Sequence, residues 1–290
     1  MYSKSIHVRT LMMFFLGLFV LSAITIPLHS AKAASRDVNP PIQSTKPITG
    51  DSLPPTQPGN TPNGGTQLPV QPGSANNGST NPPLQAQVIG LGRRDVPKIA
   101  LTFDDGPDPQ NTPQILSILQ QHNVHATFFA VGEHAQENPD LVHQIVSGGN
   151  VLGNHTWDHA DLKKLKPEDQ AKEIGHSADE LQQLTHVRPT LLRPPYGAIN
   201  DSLKNEAALA HDTIIIWNVD TEDWKTPGKD AIVNTAVHNA RNGAIILMHD
   251  GGGDRSQTIQ ALPEIITQLQ QRHFQLVTVP ELLQDMHKPI

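Results

Sequence analysis

The 290-residue sequence contains no cysteine. That excludes disulfide staples, thiolate metal sites and thiol nucleophiles, so the fold must be held by its apolar core. Aromatic residues make up only 4% and do not interleave with basic side chains. Positive charge is also in short supply, with 21 Lys and Arg against 28 Asp and Glu and a net charge of −7. Nucleic acid is therefore not an expected partner. No repeat of solenoid length is evident, which excludes a stacked array.

What is present divides the chain into three parts. Lys4 and Arg9 precede an apolar run from Leu11 to Leu28, and Ala31-Lys32-Ala33 follows with small residues at a cleavable spacing. Residues 1–33 thus read as a secretory signal peptide or a retained membrane anchor. Between Ser35 and Gly90 lie 11 of the 25 prolines and only four charged residues, with Gly, Asn, Gln, Ser and Thr between them. Residues 34–95 are expected to be a disordered, Pro-rich tether with too little apolar surface to offset its ordering entropy. The remainder, 96–290, has the length of one domain with a sizeable core. Export places that domain outside the cell or at its surface, within reach of a wall.

Within 96–290, apolar runs alternate with amphipathic stretches. Strands are expected at 98–103, 126–131, 151–153, 191–193, 212–217, 244–249 and 275–277. One helix opens after Asn111 with Pro113 in its first turn and turns Ile115, Ile118 and Leu119 to one face. Leu141, Val142 and Ile145 mark a second. Ile174, Ala178, Leu181 and Leu184 mark a third, and Ile259, Leu262, Ile265, Ile266 and Leu269 a last one closed by Arg272. The alternation predicts an α/β fold, a parallel sheet wrapped by helices as an open sheet or a barrel. The unbroken Ile214-Ile215-Ile216 fits burial on both faces.

Chemistry collects just past the strand ends, where parallel α/β folds build their sites. Thr102-Phe103-Asp104-Asp105-Gly106-Pro107 sets two adjacent carboxylates at a turn. In Asn154-His155-Thr156-Trp157-Asp158-His159, two histidines four apart can share one metal ion, and Asp104 or Asp105 could complete a three-ligand set. Arg193-Pro194-Pro195-Tyr196 offers a guanidinium and a rigid turn whose Tyr196 N–H can face an oxyanion. Asp220-Thr221-Glu222-Asp223-Trp224 supplies acids and an indole for a sugar-binding rim or for orienting a histidine, while Trp217 reads as core. Leu247-Met248-His249-Asp250 ends a buried strand on a candidate general acid, with Leu247 placed to line an apolar pocket.

Those five stretches, in that order, resemble the motifs of NodB-type polysaccharide deacetylases of carbohydrate esterase family 4. The resemblance covers residues from about Lys98 onward. It implies a distorted (β/α) barrel of seven or eight strands and a divalent ion, zinc or alternatively cobalt, on Asp105, His155 and His159. It further implies that Asp104 is the general base, oriented by Arg193. The Tyr196 N–H would be an oxyanion donor, and His249 the general acid supported by Asp223 or, less directly, Asp220. Trp224 and Leu247 would shape the acetyl pocket, and Pro194 would join them as a substrate-binding residue. The implied partner is an acetylated polysaccharide, peptidoglycan first, then chitin oligomers or acetyl-xylan. A monomer is expected. An inactive glycan-binding protein of the same fold is the alternative from a different class.

Overall fold

A computed structural model describes residues 84–287. The expected signal or anchor segment and most of the expected tether lie outside the described residues. The strands are β1 (Val88–Ile89), β2 (Lys98–Asp104), β3 (Thr127–Ala130), β4 (Val151–Asn154), β5 (Leu191–Leu192), β6 (Thr213–Ile215), β7 (Val219–Asp220), β8 (Ile245–His249) and β9 (Gln275–Val277). The helices are α1 (Thr112–Gln121), α2 (Gly132–Glu137), α3 (Pro139–Ser147), α4 (Pro167–Thr185), α5 (Asp201–Leu209), α6 (Lys229–His238), α7 (Ser256–Gln271) and α8 (Val279–Gln284). The sheet runs β1-β6-β5-β4-β3-β2-β8-β7 with β9 added beside β2, and every pairing is parallel.

All seven expected strands are found, and two short ones join them. β1 falls within residues assigned to the tether, yet Val88 and Ile89 pair with Ile214 and Ile215. The folded unit therefore starts ahead of residue 96. The expected strand at 212–217 is β6, ending earlier at Ile215, and the additional β7 follows it after Ile216–Asn218 alone. β6 bonds to β5, and β7 bonds to β8. The sheet is thus a curled, open barrel with β1 and β7 at its edges, and one run of chain links the β6 side to the β7 side.

The period-two rule of a strand sorts the side chains of β2. Ile99, Leu101 and Phe103 enter the cluster that packs α1, α6 and α7 onto the sheet, together with Ile246, Leu262 and Ile266. Ala100 points the other way, into a cluster with Phe129, Ile215, Ile245 and, from α8, Val279 and Leu282. Thr102 and Asp104 share that second face. The amphipathic patterns behave as their spacing predicts: Ile115 and Leu119, Val142 and Ile145, and Leu262 through Leu269 are buried at the expected positions. No helix among the described residues is long and apolar enough to cross a membrane.

Candidate active site

Because all strands are parallel, their carboxyl ends open on one side of the barrel. Register sets the side chains level there: Asp104 lies opposite His249 on β8 and Phe129 on β3, and Asn154 lies opposite Leu192. His155 and Arg193 thus leave adjacent strands at the same height.

Arg193 is fully buried, and its partners explain how a charge is tolerated there. Its Nη1 donates to Asp104 Oδ1 at 2.7 Å and to Thr102 Oγ1 at 2.8 Å, and its Nε to the Ile215 carbonyl at 3.3 Å. The guanidinium lies 4.0 Å from the Phe129 ring centroid and 5.6 Å from that of Trp217. Desolvating two ions costs several kcal/mol each, about what a well-bonded pair recovers. The geometry therefore specifies Asp104's orientation more than it adds stability.

Asp105 follows at φ 73°, a left-handed turn that swings its carboxylate away from that of Asp104. Its Oδ1 lies 3.4 Å from His155 Nε2 and 3.2 Å from His159 Nε2. His159 is also left-handed, at φ 64°, which folds its ring back over the site. Ligand atoms of Asp105, His155 and His159 all lie within 4.8 Å of one another. His155 Nδ1 is 2.6 Å from the Arg193 carbonyl, which can only accept, so that nitrogen carries the proton. In the neutral ring, Nε2 then presents a lone pair to a carboxylate oxygen that is buried and has no hydrogen-bond partner. A cation between them reconciles the arrangement, and the donor set of two imidazoles and one carboxylate fits a divalent ion.

Across the cleft, His249 ends β8 and Asp223 opens the 3₁₀ turn Asp223–Lys225. His249 Nδ1 donates to Asp223 Oδ1 at 2.7 Å, while Asp223 Oδ2 accepts the His249 N–H at 2.9 Å and Thr258 Oγ1 at 2.8 Å. Burial acts to lower His249's pKa, but Asp223 more than reverses this and raises it. Asp223, likewise buried, is held below the ordinary carboxylate value by His249 and Thr258. Of Asp220 and Asp223, it is Asp223 that contacts His249. Asp220 instead accepts the Glu222 N–H at 2.8 Å, a turn bond, and lines the cleft.

The cleft has a volume of about 470 Å³, with Asp104, His155, Leu247 and His249 among its walls and Tyr196 and Trp224 at its rim. Trp224 is 51% and Tyr196 69% exposed. Tyr196 stands edge-on to His159 at 4.8 Å. Two expectations need correction. Trp217 packs on the inner cluster but also lines the cleft, because the chain leaves the sheet at Ile216–Asn218. Pro194 is buried and outside the cleft lining; its carbonyl accepts the Gly197 N–H at 3.1 Å and so shapes the turn beneath Tyr196.

Sequence reasoning missed the groups that hold these residues from behind. Thr102 lies one turn of the strand pleat from Asp104 and could have been flagged by the period of two. His134 on α2 contacts the Asp105 carbonyl through Nδ1 at 2.8 Å, and Thr258 on α7 reaches Asp223. Neither carries a local signal.

The family profile described as polysaccharide deacetylase matches residues 92–213. The chain is 42% identical over 191 residues to a peptidoglycan-N-acetylglucosamine deacetylase of Bacillus cereus, covering 65% of this chain and 89% of that one. It is 41% identical to the peptidoglycan-N-acetylmuramic acid deacetylase PdaC of Bacillus subtilis, over 63% of this chain but only 38% of the relative. Among solved structures it resembles the Bc1960 peptidoglycan N-acetylglucosamine deacetylase, with a TM-score of 0.67 and 38% identity, over 69% of this chain and 94% of that one. The five motifs, the distorted barrel that carries them and these likenesses agree: the chain belongs to the polysaccharide deacetylase family.

Proposed function

We propose that this protein removes the acetyl group from N-acetylglucosamine residues of peptidoglycan, by hydrolysis at a single divalent ion held by Asp105, His155 and His159. One observation carries the reading: ligand atoms of Asp105, His155 and His159, from two stretches about 50 residues apart in sequence, converge beside the Asp104 carboxyl that Arg193 orients. Zinc is the ion proposed, since two imidazoles and one carboxylate are a donor set of catalytic zinc sites. Bound there, it supplies Lewis-acid polarisation and a more acidic water.

The protein's own groups do the rest. Asp104, with one oxygen tied to Arg193, keeps the other at 3.8 Å from His155 Nε2, facing the ligand group as a base for the attacking water. The Tyr196 N–H is the proposed oxyanion donor. His249, its proton retained by Asp223, faces the leaving nitrogen as general acid, because an amine departs poorly unless protonated. Leu247 offers the acetyl methyl an apolar wall, and Trp224 a face for the sugar. The proposed setting is the outer side of the cell envelope, with residues 1–33 as signal or anchor and the following segment as tether.

Mass spectrometry of muropeptides after incubation with the protein tests this. Loss of one acetyl group located to glucosamine is expected. Loss from muramic acid would reassign the sugar, and turnover of chitooligomers or acetyl-xylan alone would reassign the polymer.

A further inference from the structure

Arg255 lies just before α7 and is only 4% exposed, yet it bonds to no carboxylate among the described residues. Its Nε donates to the Gly251 carbonyl at 2.7 Å, its Nη2 to that of Gly252 at 2.9 Å and its Nη1 to that of Asp254 at 3.3 Å. One planar fork thus draws together a loop of three consecutive glycines, and Asn111 Nδ2 adds a bond to the Gly253 carbonyl at 3.2 Å.

The braced loop is pressed against Asp105. A Cβ placed on Gly251 would lie 2.2 Å from the Asp105 carbonyl oxygen. One on Gly252 would lie 2.6 Å from Asp105 Oδ2 and 3.4 Å from Arg255 Nη2. Gly252 has φ +72°, so both its space and its backbone require glycine. The two oxygens of Asp105 are consequently unlike: Oδ1 faces the two imidazoles, while Oδ2 abuts the glycine that Arg255 holds.

We propose that Arg255 is a positioning residue for the metal centre, bracing the Gly251–Gly253 loop so that Asp105 offers one oxygen, Oδ1, to the ion. The inference rests on the metal site proposed above. Contacts behind a ligand set its orientation, and their loss costs about 10- to 100-fold in metal affinity.

Zinc affinity, measured on the full chain by competition with a chromophoric chelator, provides the test. Arg255→Ala should bind zinc about 10- to 100-fold more weakly. Its cobalt-loaded form should also change visible absorption, because a released carboxylate alters the coordination number. Arg255→Lys retains the charge but not the fork, so it should recover little; full recovery would replace bracing by simple charge. Should Arg255→Ala fail to fold, Gly252→Ala provides the second route: with Arg255 intact, its methyl group meets Oδ2 and should weaken zinc similarly. Wild-type affinity and an unchanged cobalt spectrum in folded Arg255→Ala would overturn the inference while leaving the metal site standing. A wild-type protein that binds no zinc would overturn both.

Discussion

One carboxylate grips His249 twice: Asp223 accepts the ring Nδ1–H at 2.7 Å through one oxygen and the backbone N–H at 2.9 Å through the other. Ring tautomer and strand end are therefore fixed together, leaving Nε2 as the atom that can give or take a proton.

That relationship predicts a pH profile. Asp223 raises His249's pKa from its ordinary 6.5 against the opposing effect of burial. An acid must hold its proton, so kcat/KM should fall as pH rises through the raised value. Asp223→Asn should shift this alkaline limb to lower pH and reduce kcat/KM by about 100-fold. The stability the pair contributes through His249 has the same sign: it is full below the unfolded value and lost as pH climbs through the folded one. An alkaline limb that stays put in Asp223→Asn would remove His249 from the acid role.

Arg193→Met should cost about 3–5 kcal/mol of stability, since it strands the buried Asp104 carboxylate. Urea denaturation measures this, and the double variant Arg193→Met with Asp104→Asn should regain part of the loss without regaining acetate release. A single variant as stable as wild type would mean that the ion pair orders nothing.

Chelation should abolish acetate release, and zinc or cobalt should restore it. Zinc at 1,000 times its dissociation constant should also add about 4 kcal/mol to unfolding. A melting temperature indifferent to zinc, with activity unaffected by chelator, would rule out Asp105, His155 and His159 as a metal centre.

Trp224→Ala should separate binding from folding. The indole is half exposed at the cleft rim, so stability should move by no more than about 0.5 kcal/mol. KM for the glycan should rise by about tenfold, equivalent to about 1.4 kcal/mol of binding. An unchanged KM would place the sugar elsewhere.

The parts of the fold legible in the sequence were those with a strong period. β2, β8 and α7 announce themselves because their apolar residues are continuous or spaced for one helical face. β1 and β7 did not, since a strand of two residues has no period, and β1 borrows its order from β6. Helices α2 and α8 have six residues each and show no period for a similar reason; α5 and α6 are as long as α3 and α1 but group few large apolar residues on one face. The residues that face the cleft were readable as motifs at strand ends, but the choice between Asp220 and Asp223 was not. Both acids are near β7, and only the 3₁₀ turn after it brings Asp223 under His249. His134 is further beyond reach, because it acts on backbone 29 residues away; Arg255 bonds to carbonyls close by in sequence, but the loop they belong to meets Asp105 only in the folded chain.

The continuous passage from β6 into β7 has a mechanical consequence. Neighbouring strands elsewhere are held by hydrogen bonds that can breathe or slip, whereas the β6 and β7 sides are joined by peptide bonds as well, and Trp217 beneath Arg193 sits on the same short span that leads to Asp223. Widening the mouth to admit a bulkier glycan must therefore come from loosening β1 or the loops, not from parting the Arg193 side from the Asp223 side. A circular permutant opened between Ile216 and Asn218 should keep its metal ligands together, and Asp104 level with His249 on paired strands, yet lose the alignment of Arg193 and Asp223 behind them.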